Sequence, residues 1–241
     1  RIIRVVTSLA EQADNPLGFY GATHQGIYTR AEELAYSVSF KRVAGKFHNP
    51  ERPDLHLQPE DPTKIVGVLL SGVLDDEVIA MHVDAGYPVV CVDYWPRNPN
   101  ADGVVFDCFN EGQLAVEYLA GLGHRPFFYL GNQIGHHPPV NEPDAELMLA
   151  GMKRSLTRLN LAMPPENIRF VHGSRFDECR VAEWCLALKP RPTAGVVFNQ
   201  GAVDYLLSKL QTHGLKCPRD LSLVTKTFSG QAYRGACLVG D

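Results

Sequence analysis

Short apolar runs recur along the chain, and most of them are followed by an amphipathic segment of helical length. A run that is apolar throughout, rather than at alternate positions, is typical of a strand buried on both faces of a parallel sheet. The pattern therefore predicts strands at residues 2–7, 65–70, 89–92, 104–106, 126–130, 168–171, 195–198 and 221–224.

Between these runs, apolar positions repeat with the period of a helix. In 110–122 the side chains of Leu114, Val116 and Leu119 follow that period, and Gly121 provides a stop signal. The predicted helices are 20–35, 76–84, 110–122, 146–159, 179–188 and 202–212. Because strands and helices alternate, we predict an α/β fold built on doubly wound parallel sheets.

Two stretches break the pattern. Residues 47–63 contain four prolines and many charges, which favours a surface connection. Residues 132–143 follow a predicted strand, so we expect them at the carboxyl end of a sheet, where α/β folds bind ligands. His136 and His137 lie there, but adjacent residues diverge and no cysteine or carboxylate stands at a supporting spacing. A solvated loop is favoured, and no metal site is predicted.

Charge and cysteine content narrow the class of protein. The 241 residues carry 23 Lys and Arg against 27 Asp and Glu, a net charge of −4, which gives no sign that this chain grips nucleic acid itself. The six cysteines form no C-x-x-C pair, so reduced thiols and a cytoplasmic location are expected. No apolar run approaches the roughly 18 residues that cross a bilayer, so no membrane association is predicted.

The familiar catalytic motifs do not occur in the sequence. It has no G-x-S-x-G elbow, no phosphate-binding P-loop and no H-E-x-x-H. The Gly-x-Gly at 121–123 ends a predicted helix and precedes a strand, which is the wrong context for a dinucleotide turn. We therefore expect neither an enzyme nor a cofactor.

Four motifs stand in order along the chain. The first, 86–93, is a strand that ends in Asp93, and the second, 104–125, is a strand that ends in Asp107 followed by a helix with Gly112 and Ala115 and a terminal Gly-His-Arg. The third is Arg-Pro-Thr-Ala at 191–194, which leads to Asn199. The fourth, 214–224, contains Gly-x-x-x-Pro-x-Asp-x-Ser. Phe19 and Tyr20 add an aromatic pair at the start of the first helix. Together these motifs resemble the effector-binding and dimerisation region of the lactose-repressor-type (LacI/GalR) transcription regulators.

The resemblance implies two Rossmann-like, doubly wound subdomains joined by three crossovers, the periplasmic-binding-protein-like type I fold, with a small ligand in the cleft between them. Residues 1–106 would form the N-terminal subdomain and 107–226 the C-terminal one. Residues 227–241 would begin a truncated return crossover. A helix-turn-helix head that binds operator DNA is absent from the sequence and would precede Arg1. The resemblance also implies a homodimer.

Ligand-binding candidates follow from the same resemblance. Asp93 is the first candidate acceptor for ligand hydroxyls, with an exposed turn residue as the alternative. Asp107 and Asn199 either contact the ligand or cap the helices that follow them. The aromatic side chains of the set are candidate pocket walls, and each has a core position as its alternative. The aromatic candidates are Phe19, Tyr20, Trp95 and Phe176.

At three positions the sequence departs from the family. Met148 stands where members commonly carry an arginine that clamps the effector, and Thr227 stands where a strand usually delivers an aspartate. An Asn-Asp pair is here Asn199-Gln200. Since a bidentate contact and its counter-charge are both lost, the pocket would use other groups, with Arg175, His136 and Lys226 as candidates.

Two functions compete. The first is the effector-binding sensor of a bacterial LacI-type transcription regulator, which binds a sugar or sugar derivative and allosterically controls DNA binding by the absent head. The second is a solute-binding receptor of a sugar transport system with the same fold. The unpaired cysteines and the Arg-Pro-Thr-Ala and Pro-x-Asp-x-Ser motifs favour the regulator.

Overall fold

The computed structural model describes residues 1–8, 19–43, 63–73, 75–134, 140–172, 175–227 and 238–239. The chain divides into two compact units, Arg1–Phe106 and Asp107–Asp241. Each unit has its own sheet, and nearly all strand pairs in both sheets are parallel. The predicted α/β class is confirmed.

The first unit contains five parallel strands and two helices. In chain order they are β1 (Ile2–Ser8), α1 (Phe19–Glu33), β2 (Ser37–Val43), β3 (Ile65–Ser71), α2 (Asp76–Asp84), β4 (Val89–Val92) and β5 (Ala101–Val104). The strand order is β2-β1-β3-β4-β5. Its core joins β3 and β4 to α2 through buried aliphatic side chains such as Val68, Leu70 and Ile79.

The second unit is built in the same way. Its elements are α3 (Cys108–Gly121), β6 (Phe127–Ile134), β7 (Val140–Asn141), α4 (Pro143–Arg158), β8 (Ile168–His172), α5 (Val181–Ala187), β9 (Ala194–Val197), α6 (Gln200–Thr212), β10 (Ser222–Thr227) and β11 (Leu238–Val239), with a short 3-10 helix at Pro165–Asn167. The sheet runs β11-β10-β9-β6-β7, and β8 also pairs with β6. Only β7 among the described strands is antiparallel to its neighbour.

Helix ends agree with the sequence prediction to within three residues. Side-chain caps explain two of the differences. The Asp107 carboxylate accepts a hydrogen bond from the Asn110 backbone N–H at 3.0 Å, so α3 begins at Cys108. The Asn199 side chain accepts from the Gly201 N–H at 2.8 Å, so α6 begins at Gln200. Such caps satisfy backbone donors that a helix leaves unpaired.

Two edge strands correct the strand prediction. The sequence predicts a strand at 104–106, but β5 ends at Val104 and begins at Ala101. The sequence also gives no strand where β2 lies. Both strands pair on one side only. An edge strand is half exposed and does not need a continuous apolar run, which is the pattern that the prediction used.

The prediction for the second irregular stretch is partly corrected as well. Within 132–143, β6 continues to Ile134, and β7 pairs back onto it. Pro143 is the first residue of α4, a position that tolerates proline because its missing N–H would be unpaired anyway. Residues 135–139, which include His136 and His137, and residues 44–62 lie outside the described residues.

Glycine holds α3 and α4 at close approach. A Cβ added to Gly112 would overlap the backbone carbonyl of Met148, and one added to Gly151 would overlap that of Phe109. The contact is thus reciprocal, since each helix offers a glycine to the other's backbone. This contact fixes where the N-terminal turns of both helices lie relative to the second sheet.

Candidate functional site

At the carboxyl edge of the first sheet, a tyrosine and an aspartate from distant parts of the sequence meet. Tyr20, at the start of α1, donates its hydroxyl hydrogen to Asp93 Oδ2 at 2.9 Å. Asp93 directly follows β4 and has a φ of +67°. Aspartate tolerates the left-handed region better than most residues, and such conformations concentrate at functional sites. The backbone therefore presents this carboxylate in a defined direction.

A second polar pair lies beside the first. Ser71, the buried last residue of β3, has its Oγ 3.0 Å from His24 Nε2, one helical turn after Tyr20. The next residue, Gly72, has a φ of +65°, and a Cβ there would lie 2.8 Å from Tyr20 Cζ. Glycine is needed at this position because the tyrosine ring covers it. Hydroxyl, imidazole and carboxylate groups are thus gathered at one edge of the sheet.

The loop after Asp93 is tied to α2. The Tyr94 hydroxyl donates to Asp76 Oδ2 at 3.1 Å, and the Arg97 backbone N–H donates to Asp76 Oδ1 at 3.0 Å. Burial and the nearby Asp76 carboxylate raise the pKa of Tyr94 to about 12. Trp95 in this loop is 69% exposed, so its ring is accessible from solvent.

The carboxyl edge of the second sheet has a different chemistry, centred on a buried lysine. Lys226, near the end of β10, is only 9% exposed. Its Nζ lies 4.4 Å from the centroid of the Phe198 ring and 3.6 Å from Cys108 Sγ. Burying an ammonium group is costly unless nearby carboxylates or hydrogen bonds compensate it.

Two carboxylates compensate Lys226. Burial raises the pKa of Glu111 on α3 and of Asp144 on α4, and in both cases the lysine is the strongest opposing influence. Burial also raises the pKa of the Cys108 thiol to about 12, so this cysteine is a neutral hydrogen-bonding group at neutral pH. Glu111 Oε2 is buried without a hydrogen-bond partner among the described residues.

A small cavity adjoins this cluster in the second unit. It is lined by Glu111, Ala115, Met148, Val196, Val224, Thr225 and Lys226. Met148 is 3% exposed, and its side chain therefore belongs to the interior of the unit. The side chain of Met148 is thus apolar and buried, and the cation that lines this cavity comes from β10.

The remaining candidates from the sequence fall into four groups. Asp107 and Asn199 lie at the carboxyl edge of the second unit, where both cap helices. Phe176 is buried in the hydrophobic core, with its ring centroid 5.6 Å from that of Tyr205. Outside the described part of the structure lie the side chains of Phe19 and Thr227 and the whole of His136. Arg175 is exposed and forms an ion pair with Glu178.

Sequence reasoning missed four members of these clusters: His24, Ser71, Glu111 and Asp144. His24 stands four residues after Tyr20, which places the two on one helix face. Ser71 is the polar residue that ends an apolar strand, the same signal that identified Asp93. The two carboxylates carry no such signal, because each lies within the first turns of a helix where acidic residues are common.

The opposite, amino edge of the second sheet contains a histidine clamp, formed by His124, Thr193 and Ser222. His124 Nδ1 lies 3.0 Å from Thr193 Oγ1, and its Nε2 lies 2.9 Å from Ser222 Oγ. The three residues come from the Gly-His-Arg, Arg-Pro-Thr-Ala and Pro-x-Asp-x-Ser motifs. A neutral imidazole donates one hydrogen bond and accepts another, and hydroxyl groups can match either role.

Two other kinds of feature do not occur among the described residues. No three His, Cys, Asp or Glu side chains gather there as metal ligands. In the same residues, no helix is both long and apolar enough to cross a membrane.

Comparison with known proteins first defines a class. Residues 116–233 match the periplasmic binding protein-like domain family. Among solved structures, a putative LacI transcriptional regulator from Bacillus cereus superposes with a TM-score of 0.72 at 21% identity, covering 95% of this chain and 78% of that one. A complex of the transcriptional regulator CelR with cellobiose superposes with a TM-score of 0.75 at 19% identity, covering 93% and 67%. The fold is that of periplasmic-binding-protein-like ligand-binding domains.

The relatives found by sequence are transcriptional repressors. The HTH-type transcriptional repressor PurR of Vibrio campbellii is 26% identical over 227 residues, which cover 92% of this chain and 64% of the relative. The chain therefore spans 64% of the length of that curated relative. Together with the four motifs, these matches support the resemblance of the chain to the effector-binding region of the LacI/GalR transcription regulators.

Proposed function

We propose that the chain is the effector-binding module of a cytoplasmic transcription regulator, and that a small polar, sugar-like effector binds at the carboxyl ends of its parallel strands. The observation that carries the proposal is the Tyr20–Asp93 pair beside His24 and Ser71, presented on a fold shared with HTH-type repressors. Hydroxyl, imidazole and carboxylate groups on a preformed scaffold match the hydroxyl groups of such a ligand. Similarity to a CelR–cellobiose complex supports the ligand class.

In this proposal the effector controls operator DNA binding by a head outside these residues. Binding can do so only if the effector has different affinities for two conformational states of the protein. The five described cysteines are free thiols, which supports a reducing compartment and disfavours the exported receptor of the same fold.

The first test is a thermal-shift screen against sugars, sugar phosphates, sugar acids and nucleobases. A ligand that binds the native state raises the melting temperature by mass action, whatever its chemical identity. We expect at least one sugar to do so. Should no compound in these classes raise the melting temperature at millimolar concentration, the proposal would be contradicted.

The second test is Asp93→Asn, measured by calorimetry with the best ligand of the screen. Asparagine keeps the size of the side chain and tolerates the left-handed backbone, so the fold should persist. Loss of a charged hydrogen bond should weaken effector binding by about tenfold or more. The control is Asp204→Asn, an exposed carboxylate on α6, which should leave affinity unchanged.

We further propose a homodimer, to which an aromatic patch on the first unit contributes. Tyr28 on α1 stacks on Phe40 of the edge strand β2, with ring centroids 6.1 Å apart and planes at 11°. Both rings are exposed, at 52% and 42%. An exposed aromatic pair that includes a residue of an edge strand is typical of an interaction surface. The double variant Tyr28→Ser with Phe40→Ser should shift the sedimentation coefficient from dimer toward monomer; a monomeric unsubstituted protein would exclude the dimer.

A further inference from the structure

The charge class of the effector can be inferred from the second unit, on the basis of the proposed function. The groups that decide it surround Lys226, the buried cation next to Cys108 and Phe198. Cys108 follows Asp107 and Phe198 precedes Asn199, so the lysine contacts the sequence neighbours of two proposed effector contacts. Any charged group that an effector brings to this edge meets the field of this cluster.

The ammonium group is already balanced from two helices. Glu111 faces it from α3 and Asp144 from α4, and both carboxylates are electrostatically coupled to Lys226. The Cys108 thiol accepts a hydrogen bond from Lys226 and has a single S–H to donate to Glu111 or Asp144. Lys226 is therefore held inside the unit by its own protein, and its charge does not extend outward as a lone cation would.

Negative charge exceeds positive charge around this cluster. Glu142 adds a third carboxylate close to Asp144, and Asp107 adds a fourth close to Glu111. Arg175, another cation after β8, is paired with Glu178. Glu111 Oε2 and Asn132 Oδ1 are buried hydrogen-bond acceptors with no partner among the described residues. Both atoms are acceptors, so neither can donate a hydrogen bond to an anion.

We infer that this edge selects an uncharged or cationic effector with hydrogen-bond donors and rejects phosphorylated or carboxylated analogues of the same molecule. Like charges brought together in a partly buried site oppose binding, since water screens them less than at an open surface. Rejection here arises from the chain's own carboxylates and not from shape.

The inference is tested with sets of ligands that differ only in charge. Glucose, glucosamine, glucose 6-phosphate and gluconate form one set, and ribose with ribose 5-phosphate forms another. In thermal shift followed by calorimetry, the neutral or amino member of a set should bind about tenfold or more tightly than its anionic partner. Tighter binding of a phosphate or acid would overturn the inference and leave the proposed function intact. Failure of every member to bind, together with failure of every other compound of the screen, would overturn both.

Variants connect the selectivity to the cluster. Glu111→Gln removes one negative charge at nearly constant shape, and Asp144→Asn repeats the change from the neighbouring helix. Each should raise the affinity for the anionic member relative to the neutral one by several-fold. Glu117→Gln is the matched control, because it is the same substitution on α3 at an ion pair with Arg158 instead of Lys226. An unchanged affinity ratio in both Glu111→Gln and Asp144→Asn would contradict the assignment.

Discussion

The two edges of the second sheet use similar polar side chains for different purposes. At the amino edge, the histidine clamp joins the segment before β6 to the starts of β9 and β10. At the carboxyl edge, Lys226, Glu111 and Asp144 gather where ligands bind in α/β folds. The first cluster is uncharged with its hydrogen bonds satisfied, whereas the second holds opposed charges and an orphaned acceptor.

This difference shows which structural role the sequence motifs have. Gly-His-Arg, Arg-Pro-Thr-Ala and Pro-x-Asp-x-Ser all converge on the histidine clamp, so their physical role is to hold the strands in place. Met148, which departs from the family pattern, lies with Lys226 around the cavity near the carboxyl edge. The three motifs that meet at the clamp therefore identify the scaffold, while the proposed selection of effector charge rests on the residues around Lys226.

The largest effect is expected at Gly112, a motif residue outside both edges. Gly112→Ala should lower the free energy of unfolding by about 3 kcal/mol, because the new Cβ overlaps the Met148 carbonyl and forces α3 away from α4. Urea denaturation measures the change. Gly121→Ala on the same helix is the control, since nothing lies within 4 Å of its added Cβ. Equal stability of the two variants would remove the structural role assigned to this motif position.

The next largest effect should come from the histidine clamp. His124→Ala removes two hydrogen bonds and leaves Thr193 and Ser222 without their partner, which should reduce the free energy of unfolding by about 2 kcal/mol. The exposed His213, at the end of α6, provides a control in His213→Ala, which should change stability far less. A stability loss of the same size in both variants would show that the clamp contributes no more to stability than an exposed histidine does.

A smaller effect is expected from pH. Burial lowers the pKa of His124 below the ordinary histidine value of 6.5. Between the folded and unfolded pKa values the unfolded chain binds more protons, so stability rises with pH in that window. The contribution is fully present above about pH 6.5 and is lost as the pH falls through the folded-state pKa. Urea titrations from pH 7.5 to 5 should show a steeper loss for the unsubstituted protein than for His124→Gln. Parallel curves would exclude this linkage.

Much of the fold could be predicted because its signals are local. Buried strands appear as apolar runs, and Asp107 and Asn199 cap helices within three residues of themselves. Edge strands such as β2 were not predicted, because half of their surface faces solvent and they need no continuous apolar run. The pairs His24–Ser71 and Lys226–Cys108 could not be predicted, since they join residues 47 and 118 positions apart that only the tertiary structure brings together.

Asp93, which we propose binds the effector, and His124, which holds the strands of the second sheet, should respond differently to substitution. The most direct test is a calorimetric titration of the best ligand of the screen into the unsubstituted protein, Asp93→Asn and His124→Ala. We predict that Asp93→Asn weakens binding by about tenfold or more with the unfolding free energy nearly unchanged. His124→Ala should lower stability and leave the affinity within about twofold. Unchanged affinity in Asp93→Asn, or loss of affinity in a folded His124→Ala, would contradict this division of roles.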